Sequence, residues 1–308
     1  MARSVMQNDS PRISVLVPTF NEELNLPDCL LSVCGWAEDV WVIDSFSTDR
    51  TVEIAREAGA NVLQHVFEGY AEQKNWALDS APAKGKWVLI LDADERVTPE
   101  LASEISSIVL NDGSGFDGFY LNRRVIFYGK WIRHCGWYPS WNLRLFRRGR
   151  GRYEQREVHE HLILEGKAGN CRHDLIHEDL RDMSFWIDKH NRYSSLEALA
   201  LNRARHEHSG LQASLLKGSV ERKRFIKERI WTHIPGRAFL LFFYLYFFRF
   251  GFLDGKHGFL FCLMHAIFEQ FTAVKMWELK GYKRDAADGA INSVKVFRAA
   301  ETVKVEKQ

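Results

Sequence analysis

Apolar runs alternate with amphipathic stretches through the first 110 residues. Each run typical of a buried strand is followed by apolar positions at helical spacing. The predicted elements are strand 13–20, a helix from 21–23 to about 34, strand 39–45, helix 47–58, strand 61–67, helix 71–81, strand 86–94 and a helix from 99. Ser47 or Thr48 is the predicted N-cap of the second helix, Gly59 lies just past its end, and Thr98 caps the fourth, with Pro99 at its first position.

This alternation predicts an α/β fold with a mostly parallel sheet. Parallel strands are joined by right-handed crossovers, and ligands bind beyond their carboxyl ends. We therefore look for functional residues at the ends of the predicted strands.

An acidic cluster ends the fourth predicted strand. Five apolar residues come directly before Asp92, Asp94 and Glu95, whose like charges repel one another at short range. A solvated strand exit leading into a helix N-terminus is one interpretation, and it fits Glu95 well. For the two aspartates we favour a binding site, because two other strand ends on the same edge, 17–23 and 42–51, are also polar.

The sequence lacks the glycine-rich phosphate cradles GxGxxG and GxxxxGK[ST]. A divalent cation offers another way to hold a nucleotide, because Mg²⁺ and similar ions take oxygen ligands from one or two carboxylates and from substrate phosphates. Asp92 and Asp94 are spaced to approach one nucleotide together, and Glu95 is expected to orient them from behind.

Four segments in this order, VPTFNEE (17–23), VIDSFSTDRT (42–51), QKNWAL (73–78) and LDADE (91–95), resemble the inverting family 2 glycosyltransferases of the GT-A fold. The resemblance covers roughly residues 12–280. It is greatest to the bacterial branch that includes the lipopolysaccharide core β-1,4-glucosyltransferases and related envelope polysaccharide enzymes. It implies a GT-A catalytic domain at 12–210. The pattern of charge and apolar residues predicts a basic and hydrophobic helical membrane-associating region at 211–281 and a polar tail at 282–308.

The resemblance also implies a nucleotide-sugar site. Its residues would be Pro18, Thr19, Asn21, Glu22, Asp44, Lys74, Asp92, Ala93, Lys189 and Arg192. Asp44 would accept a hydrogen bond from the base, which suits the ring N–H of uracil, and Asp92 would lie near the ribose. Lys189 and Arg192 would contact the diphosphate, although a solvated basic helix face explains them equally well.

The same resemblance implies a metal and a general base. Asp94 would bind Mn²⁺ or Mg²⁺ bridging the diphosphate, with His177 either a second ligand or a structural residue. An inverting transfer also needs a base for the acceptor hydroxyl, and the pattern VHExL points to Glu160, with Glu157 in reserve. Arg144 and Arg147, in RLFRR (144–148), would steady the acceptor or a phosphate, or simply alternate outward from an edge strand.

A zinc hydrolase is not indicated by the histidines. The HExxH pattern needs glutamate directly after the first histidine on a helix, whereas Asp174 follows His173. The stretch 158–179 is better interpreted as two strands around the turn GKAGN (166–170).

Basic and aromatic residues dominate the C-terminal third. Residues 217–237 hold seven basic residues against two acids, followed by the apolar runs 238–248 and 259–271. Neither run reaches the roughly 18 uninterrupted apolar residues of a spanning helix. We expect two interfacial helices on an anionic leaflet, the alternative being a buried hairpin or a dimer interface.

Composition narrows the classes of function. The net charge of +2 over 308 residues gives no reason to expect a nucleic acid partner. Five cysteines without a CxxC pair indicate neither a disulfide framework nor a zinc ribbon. The N-terminus lacks the apolar core of a signal peptide, so we expect that the bulk of the protein is not exported. Together with the resemblance and the apolar C-terminal runs, this predicts a protein at the cytoplasmic face of the bacterial inner membrane, peripheral or monotopic.

Together these features predict a glycosyltransferase. It would transfer a sugar from a nucleotide donor, a UDP-sugar, to a lipid-linked glycan in lipopolysaccharide or exopolysaccharide biosynthesis. Its partners would be the donor, the acceptor and an anionic membrane surface. Two alternatives remain: a sugar nucleotidyltransferase, which needs a Gly-rich loop with an arginine after the first strand, and a catalytically inactive membrane-bound glycan-binding module.

Overall fold

The computed structural model describes residues 13–154, 161–206 and 231–281. Its strands are β1 (Ile13–Thr19), β2 (Asp39–Asp44), β3 (Asn61–Gln64), β4 (Trp87–Ile90), β5 (Glu95–Val97), β6 (Gly118–Phe127), β7 (Lys130–Trp131), β8 (Trp141–Arg147), β9 (Gly151–Tyr153), β10 (Leu162–Leu164) and β11 (Ala168–His177). Its α-helices are α1 (Leu26–Leu31), α2 (Thr51–Glu57), α3 (Tyr70–Ser80), α4 (Pro99–Leu110), α5 (Met183–His206), α6 (Arg237–Phe243) and α7 (Gly255–Gly281).

A large mixed sheet runs in the order β3, β2, β1, β4, β8, β6, β11, β5, with β7 beside β6. The four strands β3, β2, β1 and β4 are parallel to one another, and β11 is parallel to β6. Strands β8, β5 and β7 run antiparallel to the strands they pair with. The predicted mostly parallel sheet is therefore confirmed, and β9 and β10 form a separate two-stranded sheet.

Helices on both faces explain why the central strands are apolar without a break. Val15 on β1 belongs to the core that contains Leu26 of α1 and Leu101 of α4. The next residue, Leu16, belongs to the core on the other face, which contains Ala77 of α3. A strand covered on both faces buries every side chain, so its apolar residues are continuous rather than alternating.

The helix boundaries confirm some predicted caps and correct one. Thr98 Oγ1 accepts a hydrogen bond from the N–H of Leu101 at 3.2 Å, and Gly59 adopts a φ of +79° just past α2. Helix α2 begins at Thr51 rather than directly after Ser47 or Thr48. The Ser47 side chain is instead held by Asp44, so it is not available as a cap.

Strand β8 corrects the edge-strand interpretation of the RLFRR segment. It lies between β4 and β6, inside the sheet. Arg144 points into the protein, whereas Arg147 packs over the Trp87 ring at 4.7 Å and pairs with Asp112 at 2.7 Å. His173 and His177 lie on one strand, β11, as expected. That strand begins at Ala168 within the predicted turn and pairs with β6 and β5 rather than with β10.

The chain forms two compact units. The first contains the sheet and ends at Leu180, and the second contains α5, α6 and α7 together with the short segment Ile132–Gly136. The predicted domain boundary at residue 210 and the predicted tail at 282–308 lie outside the described residues.

The second apolar run forms a longer helix than predicted. Helix α7 has 27 residues, about 40 Å at 1.5 Å per residue, and the segment Gly251–Leu279 is long and apolar enough to cross a membrane by length and composition alone. Glu269 does not end the helix, because Arg237 pairs with it at 2.6 Å. The first run keeps its predicted short length, within Arg237–Phe248.

Candidate active site

The loops that follow β1 and β2 are locked together at the carboxyl edge of the sheet. Asn21 adopts a left-handed φ of +53°, which asparagine tolerates better than most residues. Its N–H donates to Ser47 Oγ at 2.8 Å, and its Oδ1 accepts from the N–H of Thr48 at 2.8 Å. The N–H of Glu22 donates to Thr51 Oγ1 at 2.8 Å. This exchange fixes both loops where the resemblance places the nucleoside.

Asp44 lies at the end of β2 and is fully buried. One oxygen accepts from Thr19 Oγ1 at 3.3 Å and from the Ser47 hydroxyl. The other accepts from the Ser47 N–H and from Gln64 Nε2, both at 3.0 Å. A base N–H would reach Asp44 only by replacing one of these donors. The predicted base contact therefore stays a prediction, and Gln64 is a neighbour that sequence reasoning missed.

The acidic cluster after β4 is neutralised from inside the sheet. Arg144, only 5% exposed, places Nη2 2.7 Å from Glu95 Oε1 and also contacts Asp92. Arg123 Nη1 lies 3.5 Å from the same Glu95 oxygen. Glu95 Oε2 accepts the N–H of Asp92 at 3.0 Å. Glu95 therefore lies behind the aspartates, and the buried guanidinium offsets the repulsion that their spacing would otherwise produce.

Two cations keep Asp92 ionised. Burial acts to raise the pKa of Asp92, but the Arg144 guanidinium and the Lys74 ammonium outweigh it and hold the pKa well below its usual value. Lys74 Nζ lies 3.5 Å from Asp92 Oδ1 and 5.1 Å from the centre of the Tyr153 ring. Lys74 thus stands beside the carboxylate expected near the ribose.

Asp94 meets His177 across the turn between β4 and β5. His177 Nε2 lies 3.4 Å from Asp94 Oδ2, and the Asp94 carbonyl accepts the N–H of Glu178 at 2.9 Å. Burial acts to lower the pKa of His177, but the charge and hydrogen bond of Asp94 outweigh it and raise the pKa above its ordinary value. The strand that carries His177 pairs with β5, so sheet pairing brings together residues 83 positions apart.

Asn25 fastens the segment after β11 to the loop after β1. Its side chain is fully buried. Asn25 Nδ2 donates to Glu22 at 2.8 Å and to Asp179 at 3.1 Å, and its Oδ1 accepts the N–H of Leu180 at 2.9 Å. Sequence reasoning missed this residue. The available signal was a polar side chain inside a predicted amphipathic helix.

The Asp94 and His177 pair fits a divalent cation. Two donor atoms each about 2.1 Å from one ion lie at most about 4.2 Å apart, and the observed 3.4 Å meets this limit. Among the residues that the structure describes, no group of three or more His, Cys, Asp and Glu side chains converges as a metal site. Further ligands would have to come from outside the described residues, as when Mg²⁺ takes oxygens from substrate phosphates.

The first compact unit contains most of the predicted site residues. These are Pro18, Thr19, Asn21, Glu22, Asp44, Lys74, Asp92, Ala93, Asp94 and His177. Lys189 and Arg192 belong to α5 in the second unit, and their predicted diphosphate contact stays a prediction. Glu157 and Glu160 lie outside the described residues.

Replacing Arg144 with methionine is expected to destabilise the protein by about 3–5 kcal/mol. Buried Glu95 would lose its contact of 2.7 Å with the guanidinium and keep the longer contact of 3.5 Å with Arg123, and Asp92 would lose the same guanidinium. Urea unfolding followed by circular dichroism measures this. Adding Glu95→Leu to Arg144→Met should restore part of the loss. The control is Arg152→Met, whose ion pair with Asp79 is solvent-exposed and should matter by less than about 1 kcal/mol. Equal stability of Arg144→Met and wild type would contradict the buried-charge account.

Comparison with known proteins agrees with the predicted family. The model of glycosyl transferase family 2 matches residues 14–161. The lipopolysaccharide core biosynthesis glycosyltransferase LpsC of Rhizobium meliloti is 32% identical over 288 residues, which cover 91% of this chain and 97% of LpsC. An uncharacterized glycosyltransferase of Rickettsia bellii is 40% identical over 97 residues, which cover 32% of each protein.

Two solved structures are less similar to this chain. Glucosyl-3-phosphoglycerate synthase from Mycobacterium tuberculosis, in complex with Mn²⁺, UDP and glucosyl-3-phosphoglycerate, is 26% identical. The match covers 36% of this chain and 44% of that one, with a TM-score of 0.32. The mannosyltransferase PcManGT from Pyrobaculum calidifontis, in complex with GDP-Man and Mn²⁺, is 15% identical over 88% of each chain, with a TM-score of 0.49.

Proposed function

Because the chain belongs to glycosyl transferase family 2 and is a glycosyltransferase with the predicted GT-A fold, we propose that it transfers a sugar from a UDP-sugar donor to a lipid-linked glycan of the lipopolysaccharide core, with inversion at the anomeric carbon. The relative that supports this acceptor class, LpsC, is named for lipopolysaccharide core biosynthesis and aligns with nearly the whole chain.

One observation carries the proposal: three aspartates and a histidine from separate strand ends lie at one edge of the sheet. Asp44 ends β2, Asp92 and Asp94 follow β4, and His177 ends β11. The carboxyl ends of parallel strands are where α/β proteins bind ligands. Asp94 pairs with His177, and Asp92 pairs with Lys74. This arrangement suits a nucleoside diphosphate that is held partly through a cation.

The chain's own residues would share the work of holding the donor. The loop from Pro18 to Glu22 and the buried Asp44 would bind the nucleoside, and Asp92 would orient the ribose. Asp94 and His177 would hold Mn²⁺ or Mg²⁺, which when bound neutralises the charge that develops on the departing diphosphate.

Glu160 would take the proton of the acceptor hydroxyl. In an inverting transfer the acceptor oxygen attacks the anomeric carbon on the face opposite the leaving group, so the base must lie on the acceptor side. Glu160 itself lies outside the described residues. Of the described residues that flank it in sequence, the N–H of Glu154 donates to the His161 carbonyl at 3.0 Å. The ring of the preceding Tyr153 lies beside Lys74, which pairs with Asp92, and this supports a base in this part of the sequence.

The two alternatives make different demands on the chain. A sugar nucleotidyltransferase needs a Gly-rich loop with an arginine after β1, where this chain has Val17–Glu23, and the family match speaks for transfer instead. An inactive glycan-binding module would not hydrolyse a nucleotide sugar. Slow, metal-dependent release of UDP from the donor in the absence of acceptor therefore separates it from the enzyme.

A thermal stabilisation screen tests the donor. We expect UDP with Mn²⁺ to raise the melting temperature. A ligand at 100 times its Kd stabilises the folded protein by about 2.7 kcal/mol, and each kcal/mol raises the melting temperature by about 2–4 °C. ADP, GDP and CDP should stabilise less, because Asp44 is expected to accept the uracil N–H. Equal stabilisation by UDP in EDTA would contradict the metal bridge, and a larger effect of GDP would overturn the assignment of the base.

We further propose that the enzyme works at the cytoplasmic face of the bacterial inner membrane. Its five cysteines are free thiols, as is usual in a reducing compartment. The apolar helix α7 and the basic stretch 217–237 support contact with an anionic membrane surface, where a lipid-linked acceptor would be found.

A further inference from the structure

The second unit exposes a continuous aromatic surface. Exposed apolar side chains recur at every fourth residue in two rows along the helical stretch Arg237–Phe248. The turn before α7 adds further exposed apolar side chains. We call these residues the aromatic patch: Phe239, Leu240, Phe243, Tyr244, Phe247, Phe248, Phe250, Phe252, Leu253, Phe259 and Leu260. Each is at least 42% exposed. Soluble monomers rarely leave so much contiguous apolar surface in water, so the patch calls for a partner.

Charge around the patch favours an anionic lipid surface over a second copy of the chain. Residues 237–268 contain a single acid, Asp254, which is 3% exposed. Arg249 and Lys256 are exposed within the patch sequence. In the sequence, the patch directly follows the stretch 217–237, which has seven basic residues against two acids. A second copy would bring the same positive charge to the interface, whereas anionic headgroups complement it.

The start of α7 is fastened to a segment that the sheet itself supplies. Asp254 accepts the backbone N–H of His134 at 2.9 Å and lies 3.0 Å from His134 Nδ1. The N–H of Cys135 donates to the Arg249 carbonyl at 3.0 Å. Residues 132–136 belong to the chain between β7 and β8. The turn before α7 is therefore fastened to this connecting segment.

The second half of α7 lies along a charged helix. The rings of Trp186 and His265 lie 6.3 Å apart and those of His190 and Phe268 5.6 Å apart. Farther along, Lys275 Nζ lies 2.7 Å from Asn191 Oδ1. Residue numbers rise together on both helices, so α5 runs parallel to α7 through this half.

Helix α5 cannot enter hydrocarbon. Asp188 and Arg192 are exposed on it, and charged side chains within a membrane are rare and face a protein interior or water-filled cavity. A crossing α7 would carry this first half of α5, with Asp188 and Arg192, into the bilayer. The packing of α5 on α7 therefore argues against the crossing that the length and composition of α7 would allow.

We propose that the aromatic patch inserts into the headgroup and acyl boundary of one anionic leaflet, and that α7 lies along that leaflet instead of crossing the membrane. This deepens the proposed function, because it specifies how a membrane-bound glycosyltransferase reaches lipid-linked acceptors from one side.

Vesicle binding tests the patch. The patch variant carries Phe239→Ser, Phe243→Ser and Phe248→Ser, and the control variant carries Leu31→Ser, Leu110→Ser and Ile163→Ser, which are equally exposed apolar residues of the first unit. With vesicles of phosphatidylglycerol and phosphatidylethanolamine, we expect the affinity of the patch variant to fall by about ten- to a hundredfold or more. The control should bind as wild type. High salt should weaken wild-type binding only in part, since apolar insertion is not screened.

Side-specific labelling tests the topology. In a Cys34→Ser background, which removes the exposed native thiol, Glu278→Cys reports the far end of α7 and Arg152→Cys reports the first unit. With the full-length protein bound to preformed vesicles, a membrane-impermeant maleimide should label both cysteines from outside. Protection of Glu278→Cys until detergent is added would show that α7 crosses and would overturn the proposal.

Two further outcomes are decisive. If the patch variant binds vesicles as wild type does, the patch is not the membrane surface. If, in addition, ultracentrifugation without lipid shows a wild-type dimer and a monomeric patch variant, the patch joins two copies. Donor hydrolysis by the patch variant should match that of wild type, so a failure of the membrane proposal is distinguishable from a failure of the catalytic one.

Discussion

Asp94→Ala is expected to abolish sugar transfer and metal-dependent nucleotide binding together. Turnover should fall by on the order of 10³ or more, because the diphosphate would lose the cation held at this position. The fold should survive, since Asp94 lies in the turn between β4 and β5 and its side chain meets His177 rather than the apolar core. Turnover with a UDP-sugar and Mn²⁺-dependent binding of UDP by calorimetry measure the two effects.

A matched surface acid provides the control for this result. Asp79→Ala removes a carboxylate that pairs with Arg152 on the exposed surface, and we expect it to leave turnover and UDP binding at wild-type levels. Circular dichroism should show both variants folded. Undiminished transfer by Asp94→Ala would sink the account of the metal bridge, whatever the behaviour of Asp79→Ala.

The parallel half of the sheet could be predicted because burial on both faces leaves a pattern within each strand's own sequence. A strand buried on both faces must be apolar throughout, and β1 and β4 show this in their residues. The position of the candidate site was predicted from topology, since polar residues after three such strands meet at one edge. The structure places Asp92 and Asp94 at this edge, and their roles in binding stay a prediction.

Arg144 could not be assigned in this way. The segment RLFRR has alternating character, and nothing local shows that β8 is inserted antiparallel between β4 and β6. Only that pairing brings the guanidinium beside Glu95. Asn25 and Gln64 were missed for a related reason, because their partners lie in segments far away in sequence.

The C-terminal unit was predicted only in part from its sequence, for a different reason. The apolar run predicted at 259–271 is only part of α7, which extends to Gly281, and Arg237 pairs with Glu269 within that run. The basic stretch and the aromatic run indicated a membrane surface from composition alone. The contacts between α5 and α7, which bear on whether the helix crosses, depend on tertiary packing.

The second large effect separates the base from the cation site. Glu160→Gln keeps the size of the side chain but removes its basicity, so transfer should slow by on the order of 10² to 10⁴. Donor and Mn²⁺ affinity should stay near wild type, because neither depends on the acceptor's proton. Asp94→Ala should lose both. Turnover and donor affinity measured on the same two variants give the distinction.

Glu157→Gln is the matched control, since it makes the same change three residues earlier in the same segment. If Glu157→Gln is slow and Glu160→Gln is normal, the base is Glu157. If both variants transfer sugar at the wild-type rate, the base lies outside this segment, and the VHEHL stretch serves structure alone. Loss of donor affinity in Glu160→Gln would place that carboxylate in the donor site. The predicted pattern is a fall in turnover at Glu160, unchanged affinity for UDP-sugar and Mn²⁺, and normal transfer by Glu157→Gln.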